Sequence, residues 1–158
     1  NYTFPHESRF SDAAYAAGVA KFFIDELLRN GVTTAFTFCT SHPGSVDALM
    51  TEAQARRMRM VAGKVLQDRN SPDGVRDQTE QSLIDTETLI NRWHGKDRLG
   101  YAITPRFAPT SSAAQLRGAG ELAAKYPSVW IQSHVAENHD EIRWVKELFP
   151  ESTAHLWV

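Results

Sequence analysis

Residues 129–140 read VWIQSHVAENHD. Val129, Trp130 and Ile131 form a short apolar run of the kind a buried parallel strand shows. Polar chemistry then begins abruptly with Gln132, Ser133 and His134, and Glu137 comes three residues later. A helix is predicted to follow at once. Asn138 stands in the cap position, Glu141 at the third helical position completes a capping box, and Asp140 and Glu141 place negative charge at the positive helix end. Strand, polar turn and helix in immediate succession make a βα unit. His134 then sits where a strand ends and Glu137 in the turn, the edge at which α/β folds build their sites.

The spacing carries chemistry. A neutral imidazole is a good zinc ligand, and a neighbouring carboxylate that is not itself a ligand can move protons to and from a bound water. Three residues of chain span at most about 10 Å, so a turn can bring Glu137 to water on a metal held by His134. H-x-x-E by itself is a common pattern. Its plain structural reading, a strand-end histidine and a solvated or capping glutamate, stays open on these residues alone.

Working outward, the same unit recurs. Residues 1–9 read as a loop. Ser11 is expected to cap a helix from Asp12 to Asn30 with Val19, Ala20, Phe23 and Leu27 as its apolar stripe, closed by Gly31. Strands are predicted over Thr33–Thr40, Met60–Leu66, Leu99–Thr104 and Val129–Ser133. Between and after them come helices predicted from a Ser45 cap to about Arg57, from an Asp77/Glu80 capping box to about His94, from a Ser111 or Ser112 cap to about Lys125, and from Asn138 to Phe149. Alternating β and α predicts a parallel sheet with right-handed crossovers. Neither G-x-G-x-x-G nor G-x-x-x-x-G-K-[ST] is present, which weighs against a doubly wound nucleotide-binding sheet. Polar residues at several strand ends (Cys39 to His42, Gln67 and Asp68, Arg106, His134 to Glu137) favour part of an eight-stranded β/α barrel, which gathers such ends onto one face.

Composition bounds the rest. The 158 residues suit one ordinary domain, with 42% apolar and 23% charged residues. A net charge of −2 with no basic run argues against a nucleic-acid partner. No apolar run approaches the roughly 20 residues that span a bilayer, so no membrane partner is expected. Cys39 is the only cysteine, which excludes an internal disulfide and fits a reducing, cytoplasmic setting. It reads as a small buried hydrophobe rather than a nucleophile. The chain opens at Asn1 without methionine and ends at Trp157-Val158, as a piece of a longer protein would.

Arg106 follows Pro105 at a strand end with Phe107 beside it. An arginine fork plus an aromatic face suits a flat nitrogenous ring, bonded at its edge and stacked on its face. A surface ion pair and a core phenylalanine are the equal alternative. His42 reads as a turn histidine, His139 as a solvated helix-start residue, and His6, His94 and His155 have no partner pattern.

Several stretches taken together, in order and spacing, carry a resemblance. They are YTFPHE (2–7), LLRNGVTTA (27–35), MVAGKVLQDRN (60–70), YAITPRFAPTSS (101–112) and QSHVAENHDEI (132–142). They resemble the guanine deaminase family of the amidohydrolase superfamily, which are metal-dependent β/α barrels. The resemblance covers nearly the whole chain. It implies that residues 1–158 are a single piece of the catalytic barrel, about strands two to five with their helices. It implies that His134 is a metal ligand, Glu137 the proton-shuttling carboxylate, and Arg106 and Phe107 the guanine-holding pair. The cofactor implied is Zn2+, with Fe2+ also suited to such a site, the substrate a small purine handled in purine catabolism, and the assembly a homodimer. The family's paired H-x-H ligands, its sixth-strand histidine and its eighth-strand aspartate have no counterpart in this sequence. The same fold would serve a relative acting on a cytosine, triazine or adenine-type ring. A non-catalytic α/β nucleotide-binding module is the alternative outside the family.

Overall fold

A computed structural model describes residues 2–152, so His155 and the Trp157-Val158 end lie outside the described residues. Where a loop was expected, the chain opens with a short helix, α1 (Thr3–Ser8), and a 3-10 turn over Arg9–Ser11. Pro5 is tolerated because it falls in the first helical turn, where a missing N–H forfeits no helical bond. Asp12, not Ser11, caps α2 (Ala13–Arg29), its carboxylate accepting the Tyr15 N–H at 2.9 Å. The buried stripe of α2 is Ala16, Ala20 and Ile24, with Leu27 packed alongside, while Phe23 of the expected stripe stays exposed.

Among the described residues five strand segments follow: β1 (Thr34–Phe38), β2 (Arg59–Gly63), β3 (Val65–Leu66), β4 (Leu99–Pro105) and β5 (Trp130–Ile131). The helices between and after them are α3 (Pro43–Ala55), α4 (Thr79–Trp93), α5 (Ala113–Lys125) and α6 (His139–Leu148). Every pairing is parallel: β1 with β2, β2 and then β3 with β4, and β4 with β5. The expected strand over 60–66 is thus one strand in two halves, interrupted at Lys64. Its spatial neighbours follow chain order with no reversal. A doubly wound sheet would reverse at a switch point.

The sheet is also rolled. β1 and β5 lie three strand spacings apart, about 14 Å across a flat sheet. Yet the Phe36 and Trp130 rings meet with centroids 6.3 Å apart, and the Gln132 amide donates to the Thr37 carbonyl oxygen at 2.9 Å. Gly63 marks the tightest approach, since a Cβ there would sit 1.7 Å from the Ala102 carbonyl oxygen. On the other face, Met60, Ala62, Leu99, Tyr101 and Ile103 pack against Ile24, Met50, Ala53, Leu89, Ile90 and Leu122 in one core. Each leucine, isoleucine or methionine side chain in it contributes about 1.5–3 kcal/mol by leaving water.

Several local expectations need correction. The strand expected over 129–133 is only two residues long. Trp130 and Ile131 are 55% and 59% exposed, because β5 is an edge strand with no further layer over it among the described residues. Helix α3 begins at Pro43 with His42 in the cap position, and the Ser45 hydroxyl donates back to the His42 carbonyl at 2.8 Å. Proline at the first helical position displaces the cap upstream. Helix α4 starts at Thr79 without a side-chain cap, so Asp77 and Glu80 do not form the expected box. The Ser112 and Asn138 caps are found, accepting the Gln115 and Glu141 N–H groups at 3.1 and 2.9 Å. No helix among the described residues is long and apolar enough to cross a membrane.

Candidate active site

Because every strand runs parallel, their C-terminal ends share one edge of the sheet, and the polar residues singled out above gather there. The centre is the Arg106 carbonyl oxygen just past β4. It accepts the His134 backbone N–H at 2.9 Å, His134 Nδ1 at 2.9 Å and the Ser133 hydroxyl at 3.3 Å. A carbonyl can only accept, so Nδ1 is the donor, and the neutral ring in this tautomer presents its lone pair at Nε2. A histidine oriented through one ring nitrogen in this way is the usual state of a metal ligand. The imidazole also lies against Phe38, ring centroids 4.4 Å apart.

The Arg106 guanidinium is half-buried. Its Nη1 donates to Gln67 Oε1 at 3.1 Å, and its Cζ lies 5.0 Å from the Phe4 ring centroid and 5.6 Å from that of Phe107. Phe107 in turn meets Trp144 of α6 edge-on at 6.3 Å. The short N-terminal helix therefore contributes to the site, which the sequence did not suggest. Glu7 of the same helix has its carboxyl pushed above the ordinary range by burial, with the Arg106 charge acting against that.

Glu137 lies exposed in the turn after β5. The turn is clamped by Glu141, which does not close the expected capping box. Its carboxylate reaches further back and accepts the Ala136 N–H at 3.0 Å and the Glu137 N–H at 2.8 Å. Ala136 takes a left-handed φ of +50°. The Glu137 carboxylate itself makes no hydrogen bond to His134 or Arg106 among the described residues. The structure thus joins His134, Arg106 and Phe107 directly, and sets Glu137 in the adjoining turn.

A second polar cluster lies beneath these groups. Lys64, wholly buried at the break between β2 and β3, pairs with Asp77 at 2.6 Å, and Asp77 also accepts the Gln67 N–H at 2.9 Å. Burial pushes Lys64 below and Asp77 above their usual ranges, while their mutual attraction opposes both shifts. A lysine inside the apolar run MVAGKVL was the signal for this pair, since a charge in a buried strand needs a partner. Asp68 is structural, accepting the Ser112 N–H and hydroxyl and the Thr79 hydroxyl, each at 2.6 Å. His42 is held below its usual range, first by burial and then by the Lys64 charge, and its Nε2 has no hydrogen-bond partner among the described residues.

Cys39 is half-buried, lining an apolar hollow with Phe10, Val19 and Phe38, and burial pushes its thiol up to about 12. Only the thiolate is alkylated quickly. Iodoacetamide at pH 8 is therefore expected to label Cys39 about 100-fold more slowly in the folded than in the urea-unfolded protein. Comparable rates, read by mass spectrometry, would contradict the shift.

Among the described residues no three His, Cys, Asp or Glu side chains converge to hold a metal ion. His134 fits such an ion as a single ligand, with Nδ1 already engaged and Nε2 without a hydrogen bond among the described residues.

Comparison with known proteins places this geometry. The Amidohydrolase family model matches residues 3–157. Guanine deaminase of Escherichia coli (strain K12) is 52% identical over 155 residues, covering 98% of this chain and 35% of that protein. The solved E. coli guanine deaminase superposes with a TM-score of 0.95, over 97% of this chain and 36% of the other. A crystal structure of guanine deaminase from C. acetobutylicum with bound guanine in the active site superposes at 0.93 with 36% identity, over 98% of this chain and 37% of the other. The chain spans about a third of the length of these relatives. Its fold is the expected one, α/β with parallel strands forming part of a β/α barrel. With the family model matching almost end to end and parallel strand ends converging on His134 and Arg106, the chain belongs to the amidohydrolase family.

Proposed function

We propose that the protein containing this chain is a zinc-dependent guanine deaminase, converting guanine and water to xanthine and ammonia, and that residues 1–158 are the central piece of its catalytic barrel. The observation that carries the reading is the triple hydrogen bond onto the Arg106 carbonyl. It fixes the residue that would grip the ring beside the residue that would hold the metal. The guanine deaminase name of a relative 52% identical supports the choice of ring. The remaining ligands would lie in the parts of the barrel outside this chain.

His134 would be one holder of a zinc or ferrous ion, which would supply a water acidified to ionise near neutral pH. This chain's own residues do the rest. Arg106 donates to the ring carbonyl of guanine, an acceptor that adenine lacks at that position. Phe107 offers a face for the purine. Glu137 accepts one water proton and delivers it to a ring nitrogen, then takes the second from the new C–OH group and passes it to the amino group as the C–N bond breaks and ammonia departs.

Arg106→Ala in the full-length protein tests the substrate assignment. The loss of a charged hydrogen bond to substrate is expected to lower kcat/KM for guanine about 30-fold, mainly through KM. An unchanged KM would contradict the assignment.

A further inference from the structure

Gln67 follows β3, is wholly buried, and has every polar group of its side chain engaged. Its Nε2 donates to the Val75 carbonyl at 2.9 Å. That contact fixes the amide orientation, since only the nitrogen end can donate to a carbonyl. The oxygen end is thereby turned to Arg106 Nη1, 3.1 Å away. The Gln67 backbone is fixed as well, its N–H held by Asp77 Oδ2 at 2.9 Å, while Asp77 Oδ1 holds Lys64 Nζ at 2.6 Å. An unbroken path thus runs from a buried ion pair to the guanidinium.

We infer that Gln67 is a positioning residue that sets the aim of the Arg106 fork, with the buried Lys64–Asp77 pair anchoring Gln67 in turn. Arginine offers five N–H groups in one plane. Engaging one edge of that plane with Gln67, while the Phe4 and Phe107 ring centroids lie 5.0 and 5.6 Å from its Cζ, restricts the settings open to the remaining N–H groups. Without the Gln67 oxygen the long side chain regains its rotamers, and the substrate must bear that ordering cost at each binding event. The inference deepens the guanine-deaminase reading and rests on it for the identity of the ring, but not for the state of Arg106.

The test uses the full-length protein carrying Gln67→Met, which keeps side-chain length and removes the acceptor. Phenylglyoxal modification of Arg106, followed by peptide mass spectrometry, reads the guanidinium whatever the enzyme's substrate, with exposed Arg117 as internal reference. Arg106 is expected to react about tenfold faster in the variant, the worth of one charge-assisted hydrogen bond, with Arg117 unchanged. An unchanged Arg106 rate overturns the inference. With guanine, the variant is expected to raise KM about tenfold, leave kcat unchanged, and add nothing in an Arg106→Ala background. Additive effects would overturn the inference too. Should Arg106→Ala leave KM untouched, the substrate reading fails on its own, and the modification rate still decides Gln67. If Gln67→Met does not fold, Gln67→Glu retains an acceptor oxygen. Parent-like Arg106 reactivity there supports the inference and faster reaction refutes it.

Discussion

Glu137→Gln in the full-length protein is expected to lower kcat for guanine about 1,000-fold, with metal content and melting temperature unchanged. The size follows from the role. A general acid–base group contributes about 10²–10⁴ in rate, and this one would serve several proton transfers in each turnover. An amide of the same shape cannot accept the water proton. The fold should not notice the change, because the turn is held through the Glu137 backbone N–H, which Glu141 binds at 2.8 Å, and not through the Glu137 side chain. Ammonia release in the steady state gives kcat, and elemental analysis gives the metal. A kcat within tenfold of the parent would remove Glu137 from the proton path, whereas a loss of metal would reassign it as a ligand.

Asp77→Asn is expected to be the most destabilising single-atom change at this end of the sheet. It leaves the Lys64 ammonium buried, without the carboxylate that sits 2.6 Å from it. Breaking a buried pair by removing one partner costs about 3–5 kcal/mol, most of it the penalty of the charge left behind. The pH dependence gives the signature. Burial already holds Lys64 below its usual range, and losing Asp77 lowers it further. A lysine whose folded pKa is depressed weakens the fold wherever it must stay protonated. The deficit is therefore greatest below the folded pKa and shrinks as pH rises through it toward the unfolded value, where both states are neutral. Urea unfolding of parent and variant between neutral and alkaline pH checks this. A deficit that is small, or that grows with pH, would contradict the ion-pair account.

How much of this could be read from residues alone differs by level. The βα alternation, the parallel sheet and the Ser112 and Asn138 caps were legible, because apolar periodicity and capping chemistry act within a few residues. The strand-end placement of Arg106, Phe107 and His134 followed from the same patterns. What escaped depended on partners distant in sequence. Asp77 looked like a helix cap until Lys64, thirteen residues earlier, claimed it. Gln67 was legible only as a polar strand-end residue, yet it is buried because Val75 and Arg106 satisfy both ends of its amide. Trp130 and Ile131 read as buried because apolar runs usually are, but a strand's burial depends on what covers it. Helix α1 was missed because a proline was weighed without regard to its place in the first turn.

The left-handed backbone at Ala136 has a mechanical consequence. An alanyl Cβ resists that region by about 1–2 kcal/mol, so the turn is loaded like a bent spring and would relax if released. The latch is the Glu141 carboxylate on the two successive amides. The reach of the side chain at position 137 is thus governed from four residues downstream, by a group on the first turn of α6 that need never touch a substrate.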